Sequence, residues 1–468
     1  MQVPILNGIY TDESSDFRTS YPKNLVPVPK DTGISHGYLR PADGIKPFGA
    51  GPGEDRGGIN WNGSCYRVMG TSLIKVLEAG DHIVLGDVGG SGHVILDYGP
   101  DYLGILSSNN LYLYNESTGS FAQITDSDLG KVIDFIWIDG YYMATDGLNI
   151  IVTELANPFS VDSLKYGSSE ADPDPIKALL KVRNEAYALN RNTIEVFDNI
   201  GGNGFPFQRI EGAQIEKGTI GTNACCVFTE RIAFVGSGFN EAPSIYLGFS
   251  GQTVPIATRE IDIILKSYTT EQLSEVVCEA RVNEGHNHLW VRLPDQTLVY
   301  DATASVVQGE PVWFVLTSSI TGLGQYRAKN LVWCYDKWLV GDTKSSNIGY
   351  LVSDISDQYG EEVGWEFGTM ITYNSGNGAI FNELELVCLS GRVKLGVEPT
   401  IYTQYSLDGE TWSMPKGRTA GKQGQRNKRI AWLSQGKMRN WRIQRFKGTS
   451  EAHLTIARLE VKIESLNA

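Results

Sequence analysis

The sequence predicts an all-β fold: an irregular β-propeller of six or seven blades with one short helical insertion, a C-terminal β-sandwich and an extended N-terminal arm. The 468 residues include 52 glycines, 22 tyrosines, 16 phenylalanines and 10 tryptophans, a composition typical of strands joined by many turns. Short apolar runs recur along the middle of the chain, and apolar and charged residues alternate near its C-terminus. We place the arm at 1–60, the propeller at 61–360 and the sandwich at 361–468.

Residues 1–60 differ in amino-acid composition from the rest of the chain. They contain seven prolines and end in a glycine-rich run, GAGPGEDRGG at 49–58. Proline lacks a backbone donor and suits extended or edge positions. We therefore expect an extended arm that packs on something else and is not a domain of its own.

The propeller is predicted from one type of apolar run that recurs seven times. The runs are TSLIKVL (71–77), NNLYLYN (109–115), LNIIVTE (148–154), NTIEVFD (192–198), PSIYLGF (243–249), QTLVYDA (296–302) and NIGYLVS (347–353). Their starts lie 38, 39, 44, 51, 53 and 51 residues apart. A strand that recurs every 40 to 50 residues or so is typical of four-stranded propeller blades. The runs carry no W-D or kelch signature, so an unrelated all-β meander stays open.

One segment departs from the strand pattern. REIDIILKSYTTEQLSEVVCEA (259–280) has apolar residues at helical spacing, and Thr269 or Thr270 before Glu271 is a helix-start signal. We expect one or two short helices inserted in the β domain.

The C-terminal domain is predicted from alternation with a period of two. Ala457, Leu459, Val461 and Ile463 alternate with charged residues, as expected of a strand with one buried face. Trp441 and Ile443 alternate in the same way with Arg442 and Gln444, and YSLDGETWS (405–413) reads as a hairpin. Several such strands in about 100 residues indicate a sandwich.

Motifs that carry chemistry are scarce. GISHG (33–37) matches the nucleophile-elbow pattern, but the flanking prolines exclude the strand and helix that the elbow needs. HNH (286–288) puts two imidazoles on one strand face, yet no Cys, Asp or Glu cluster lies near it in sequence, so a hairpin is the favoured explanation. The sequence predicts no catalytic residue, no cofactor and no metal, and hence a protein that is not an enzyme.

Charge is distributed unevenly. The chain has a net charge of −14, which argues against a freely diffusing reader of duplex DNA. Residues 411–450 nevertheless hold 11 Lys or Arg and no Asp or Glu. We interpret this stretch as a docking surface for an acidic protein; a nucleic-acid patch and a merely solvated strand face are the alternatives. The candidate docking residues are Arg418, Lys422, Arg426, Lys428, Arg429, Arg439 and Arg442.

Several runs resemble a known family. KGTIGTN (217–223), EAPSIYLGFSGQTVPIA (241–257) and IDIILKSYTTEQL (261–273) are similar to the packaged-DNA stabilisation proteins of short-tailed bacteriophages, the tail hub or nozzle proteins also known as podovirus tail accessory factors. Further matches are GYLRPADGI (37–45), VGGSGHV (88–94), TLVYDA (297–302) and DISDQYG (354–360), and the similarity runs in the same order over most of the chain. The similarity is weakest in the basic C-terminal region.

The resemblance implies a structural role. Six copies would form a ring below the portal and its adaptor ring, extend the DNA channel, retain packaged DNA, and anchor tailspikes or fibres and a needle or plug. Genomic DNA would pass through the lumen without sequence-specific binding. The expected location is the virion tail, after synthesis in the host bacterial cytoplasm, without membrane insertion.

Two other functions stay open at this point. A propeller that binds or hydrolyses surface glycans is the main alternative. SLDGETW (406–412) is close to the Asp-box hairpin of sialidase-like propellers, but it is one residue short, and that motif is structural in any case. A scaffold propeller that binds peptides is the other. The N-terminus shows no secretory signal pattern, and the six cysteines suggest no disulfide framework.

Overall fold

The computed structural model describes residues 1–10, 17–155, 157–169 and 174–466. Seven antiparallel sheets follow one another along the chain as the blades of a propeller, and two further sheets build a sandwich. None of the helices within these ranges has the length and apolar character needed to cross a bilayer.

Blades 1 to 4 are meanders in which each strand pairs with the next. Blade 1 consists of Asp55–Trp61, Ser64–Met69, Ser72–Val76 and His82–Asp87. Blade 2 consists of Ile95–Tyr98, Leu103–Ser107, Asn110–Tyr114 and Phe121–Gln123. Blade 3 consists of Asp134–Ile138, Tyr141–Thr145, Asn149–Glu154 and Asn157–Val161, with Gly167–Ser168 added beside the third strand. Blade 4 consists of Ile176–Val182, Glu185–Asn190, Ile194–Asn199 and Phe207–Arg209.

Blades 5 to 7 complete the ring. Blade 5 consists of Gly218–Thr219, Cys225–Phe228, Arg231–Ser237, Ser244–Phe249 and Gln252–Pro255. Blade 6 consists of Val277–Asn283, His286–Arg292, Thr297–Asp301 and Val312–Leu316. Blade 7 consists of Ala328–Cys334, Lys337–Asp342, Asn347–Val352 and, from the other end of the propeller, Gly44–Ala50.

The ring closes through pairing between distant parts of the chain. The innermost strand of every blade contacts the innermost strand of the next, and that of blade 7 contacts that of blade 1. The fourth strand of blade 7, Gly44–Ala50, is antiparallel to Asn347–Val352, with Ala50 opposite Asn347. Both ends of the propeller therefore meet in one blade, which removes the open edge that a seven-sheet array would otherwise have.

A buried ion pair lies at this seam. Arg67 of blade 1 donates to Asp55 of the same blade at 2.5 Å, and both side chains are fully buried. Arg67 also donates to the carbonyl oxygen of Asn330 in blade 7 at 3.0 Å, and the Asn330 amide donates to Asp55. The first and last blades are thus joined by side chains as well as by packing.

Within the described ranges, three α-helices interrupt the strands. Helix α1 (Arg259–Lys266) begins at Thr258, and α2 (Thr270–Ser274) begins at Thr269, which forms a capping box with Gln272. Both lie in the segment where the sequence predicts helices. Helix α3 (Ala302–Gln308) is not predicted: the Asp301 carboxylate, at the end of a blade 6 strand, accepts from the Ala304 amide at 2.9 Å and starts a helix there.

The sandwich has two sheets. The first contains Leu25–Val28, Tyr38–Pro41, Thr455–Leu466, Gly378–Leu389 and Ile430–Leu433, with the short strands Gln2–Val3 and Lys437–Met438. The second contains Gly364–Gly368, Trp441–Thr449, Thr400–Ser406 and Lys416–Thr419, with Thr372–Tyr373. Phe446 stacks on Phe367 at 5.1 Å and packs against Trp432 at 5.5 Å in the core between them.

The extended N-terminal segment binds the two domains together. Its strands join the first sandwich sheet, blade 7 and a separate hairpin, Gly8–Tyr10 with Arg18–Ser20. The amide of Asn24 donates to the carbonyl oxygens of Thr317 (2.9 Å) and Gly364 (2.7 Å), which belong to the propeller and the sandwich. The exact domain boundaries at 60 and 360 stay predictions.

Candidate functional site

The basic stretch 411–450 supplies strands to both sheets of the sandwich. Its apolar side chains, Trp432 and Phe446 among them, enter the core, which leaves most of its cations outside. Lys422, Arg426, Lys428 and Arg429 are exposed on one loop, 421–429, which we call the basic loop. The Gly424 amide donates to the Gly391 carbonyl oxygen at 3.1 Å and fixes this loop to the domain.

Carboxylates neutralise part of the basic loop. Arg429 donates to Glu385 at 2.5 and 2.7 Å and to Glu383 at 2.9 Å. These hydrogen bonds hold the pKa of Glu385 below its usual range. Lys422 lies 3.8 Å from Glu398. The charge of Arg429 is therefore already paired within the domain, whereas no ion pair within the described residues involves Arg426 or Lys428.

The structure contradicts the prediction that Arg442 belongs to the docking surface. It is 1% exposed, because its strand is covered on both faces, and a partner cannot reach it in the folded chain. Its guanidinium lies 4.2 Å from the ring centre of Phe381 and 3.9 Å from that of Tyr405. It donates to the Gln444 amide oxygen and, at 2.6 Å, to the Gln435 carbonyl oxygen. Burial lowers the pKa of Arg442 to about 10.

The other predicted docking residues lie near the basic loop in sequence but on other elements. Arg418 is exposed on the edge strand Lys416–Thr419 and donates to the Ala431 carbonyl oxygen at 3.0 Å. Arg439 is exposed just before the strand Trp441–Thr449.

Arg426, on the basic loop, also lines a cavity of about 570 Å³ between the two domains, together with Asp354 and Glu362. Of the predicted docking residues, Lys422, Arg426 and Lys428 are therefore the ones that lie together, exposed on one loop, with Arg429 already paired. Docking at these residues stays a prediction.

A second cavity, of about 360 Å³, lies on the propeller axis and is lined by the innermost strands. Three carboxyl groups in it accept a backbone N–H from the following blade. Asp97 accepts from Trp137, Asp134 from Leu179, and Glu279 from Leu331, each at 2.6 Å. These three carboxyl groups link adjacent blades through hydrogen bonds. The sequence does not reveal this role, because each donor lies 40 to 52 residues from its acceptor along the chain.

Burial dominates the electrostatics of the axial cavity. It raises the pKa of Asp134 to about 8, against the lowering effect of its two backbone hydrogen bonds. It also raises the pKa of Asp97 and of Glu279. His93 lines the same cavity, and solvent reaches its side chain there. The protein atoms around the imidazole nevertheless disfavour its charged form and lower its pKa to about 4.

The HNH motif has a third neighbour that the sequence does not reveal. His286 and His288 both face Asp301, because the hairpin register places Asp301 directly opposite His288. A local search for acidic residues misses Asp301, which lies 13 residues from His288. Asp301 could have been identified from the sequence by pairing the HNH strand with the TLVYDA strand as a hairpin across the short turn between them.

The fold and its surfaces define a two-domain protein, a seven-bladed propeller fixed to a basic-edged β-sandwich. The chain belongs to the bacteriophage P22 Gp10 family. The family profile for the Gp10 β-propeller matches residues 1–356, and that for the Gp10 β-sandwich matches residues 364–464. The predicted family and fold class are both confirmed.

One relative matches along the whole chain. It is the tail hub protein gp10 of Salmonella phage P22, which is 28% identical over 484 aligned positions that cover 99% of each chain. Among solved structures, the N-terminal domain of Nup159 matches 71% of this chain and 99% of its own, with a TM-score of 0.41 and 10% identity. The Neurospora crassa Pan2 WD40 domain matches 66% of this chain and 95% of its own, with a TM-score of 0.41 and 11% identity. These structural likenesses are too weak to carry an argument.

Proposed function

We propose that the chain is the structural tail hub of a bacteriophage, a component of the virion tail that acts by assembly and not by catalysis. The observation that carries this proposal is the family match, which covers both domains in order. The full-length relative is named a tail hub protein, and its alignment leaves only 1% of either chain unmatched.

The finer role that we propose is a sixfold ring below the portal and its adaptor. Such a ring extends the DNA channel, retains packaged DNA, and anchors tailspikes or fibres and a needle or plug. In this arrangement the exposed cations of the basic loop dock on an acidic surface of the adaptor ring. Their exposure and the absence of ion pairs at Arg426 and Lys428, among the described residues, support this placement.

The path of DNA follows from the size of the axial cavity. A cavity of about 360 Å³ holds on the order of a dozen water molecules, far too few to outline a passage for a duplex. The lumen of the ring is therefore formed between copies and not through a propeller. With a net charge of −14 per chain, acidic faces on this lumen would repel phosphates and let DNA slide. A lumen lined with Lys and Arg would contradict this.

The docking proposal can be tested by charge reversal. In phage lacking the hub gene product, the chain carrying Arg426→Glu and Lys428→Glu should fold normally but fail to join DNA-filled heads. The matched control is Lys131→Glu with Arg231→Glu, the same change of charge at exposed positions of the propeller. Arg429 is left unchanged, since reversing it would place a third carboxylate beside Glu383 and Glu385. Normal tail addition by the basic-loop variant would refute the docking site.

A tail-hub role has a separate test that does not depend on the docking surface. Deleting the gene should leave heads that package DNA and then lose it, and the purified chain should restore infectivity when added to such heads. Heads that retain DNA and infect without the chain would contradict the role itself.

A further inference from the structure

The hairpin of blade 6 brings three metal-type donors together. His286 and His288 lie two residues apart in the strand His286–Arg292 and so share a face. Asp301 ends the neighbouring strand, directly opposite His288. Helix α3 begins immediately after it, so the site lies where two strands and a helix meet.

The donor atoms converge on one carboxylate oxygen. His286 Nδ1 lies 2.6 Å and His288 Nε2 lies 3.3 Å from Asp301 Oδ2, and the three atoms lie within 4.8 Å of one another. The other oxygen, Asp301 Oδ1, accepts from the Ala304 amide and caps α3. The carboxylate is thus oriented by the helix start, and Oδ2 is left to face the two imidazoles.

We propose that His286, His288 and Asp301 bind a divalent transition-metal ion of the zinc type. Zn²⁺ takes imidazole nitrogen and carboxylate oxygen ligands, and three protein ligands with an open fourth position are a common arrangement. Ligand distances of 2.0 to 2.2 Å in a tetrahedron put neighbouring donor atoms about 3.3 Å apart. The His288–Asp301 separation already has this value, and the His286–Asp301 separation is about 0.7 Å shorter.

The burial of the three side chains suits this adjustment. Asp301 is fully buried and His288 is 2% exposed, so both are held in place. His286 is 25% exposed and can move outward as the ion enters. Its open side also gives a water molecule access to the fourth position.

The surrounding charges leave the site able to accept a cation. Arg281, which pairs across the strand with His288, donates to Asp43 at 2.6 Å, and Arg40 donates to the same carboxylate at 2.9 Å. Both nearby guanidinium groups are therefore engaged by Asp43 and not by Asp301. Glu284, exposed in the hairpin turn, adds a negative charge whose effect reaches His286.

The test uses the full-length, tag-free chain after treatment with a chelator. Cobalt and zinc chlorides are titrated separately, with visible absorption for Co²⁺ and calorimetry for Zn²⁺. We expect one ion per chain, the intense visible bands of four-coordinate Co²⁺, and a thermal midpoint that rises with Zn²⁺. His286→Gln should weaken binding at least tenfold and abolish the zinc-dependent rise.

His36→Gln is the matched control. His36 also lies beside a carboxylate, 3.9 Å from Asp31, but its side chain is 97% exposed, and the three-donor cluster of the described residues does not include it. This variant should bind zinc as the unaltered chain does. Asp301→Asn keeps an oxygen to cap α3 while removing the charge, and it too should lose the ion. Absence of binding by the unaltered chain, or binding that persists in both His286→Gln and Asp301→Asn, would overturn the proposal.

Discussion

The propeller and the sandwich each bury an arginine almost completely, and they accommodate its charge in different ways. In the propeller, Arg67 is paired with Asp55 at 2.5 Å, where the first and last blades meet. Burial alone would lower the pKa of Arg67, but the Asp55 carboxylate outweighs it and raises the pKa. In the sandwich, Arg442 lies between Phe381 and Tyr405, and it donates to amide oxygens of Gln435 and Gln444. Burial lowers its pKa.

The difference reflects what each arginine holds together. The propeller has to join two distant parts of the chain, and Arg67 does so by donating to a carbonyl oxygen 263 residues away. The sandwich is already specified by its apolar core, so Arg442 fills space between rings. We therefore expect loss of the two arginines to have different costs and to affect different regions.

The largest effect is expected from Arg67→Met. The substitution leaves the Asp55 carboxylate buried without its cation, which costs about 4 kcal/mol of stability. Urea unfolding should show the loss. Hydrogen exchange should locate faster exchange in blades 1 and 7 and leave the sandwich unchanged. Adding Asp55→Asn should recover part of the loss, and a single variant as stable as the parent would contradict the account of the seam.

The next largest effect is a pH dependence that belongs to the propeller. The pKa of Asp134 is about 8 in the folded chain, because of burial, against 3.8 as the ordinary value. As pH rises from about 4 to 8, the unfolded chain loses a proton that the folded chain retains, so stability falls. Between pH 5.5 and 8 the loss is about 3 kcal/mol. Asp134→Asn should flatten this profile in urea unfolding, while a profile unchanged by the substitution would contradict it.

A smaller effect is expected from Arg442→Met in the sandwich. No carboxylate is stranded, and methionine refills the space between the rings, so the cost is that of the unpaired oxygens of Gln435 and Gln444, about 2 kcal/mol. Exchange should quicken in the sandwich strands only. A loss as large as that of Arg67→Met would remove the contrast between the two arginines.

The smallest effect on stability is expected from substitutions of exposed cations on the basic loop of the sandwich. Arg426→Glu with Lys428→Glu should change the free energy of unfolding by less than about 0.5 kcal/mol, because both side chains are exposed. Its effect belongs to assembly. A large destabilisation in urea would mean that these cations support the fold, and the assembly defect could then not be assigned to docking.

Local patterns predict much of this fold. Each of the seven recurring apolar runs coincides with one strand of a different blade, so their number equals the number of blades. It is the third strand in every blade except blade 5, where two short strands, Gly218–Thr219 and Cys225–Phe228, precede Arg231–Ser237 and make Ser244–Phe249 the fourth. The dipeptide Asp139-Gly140 is typical of a tight hairpin turn, and in the structure both residues adopt the left-handed conformation of such a turn, with φ of 49° and 91°. The start of α2 at Thr269 is also a local signal.

The features that sequence reasoning missed depend on contacts between distant residues. The closing strand Gly44–Ala50 contains Pro47 and pairs with residues about 300 positions away. Asp301 meets the HNH motif only after a hairpin forms. Arg442 sits in an alternating pattern that predicts exposure, and only the packing of the two sheets shows that the pattern fails there.

The most direct test of the tail-hub proposal is cryo-electron microscopy of isolated phage tails, with the fold fitted into the density. We expect six copies in a ring on the tail axis beneath the adaptor, with the basic loops facing it and the lumen formed between copies. Absence from the tail, or copies found only away from its axis, would contradict the proposal and favour a glycan-binding propeller instead.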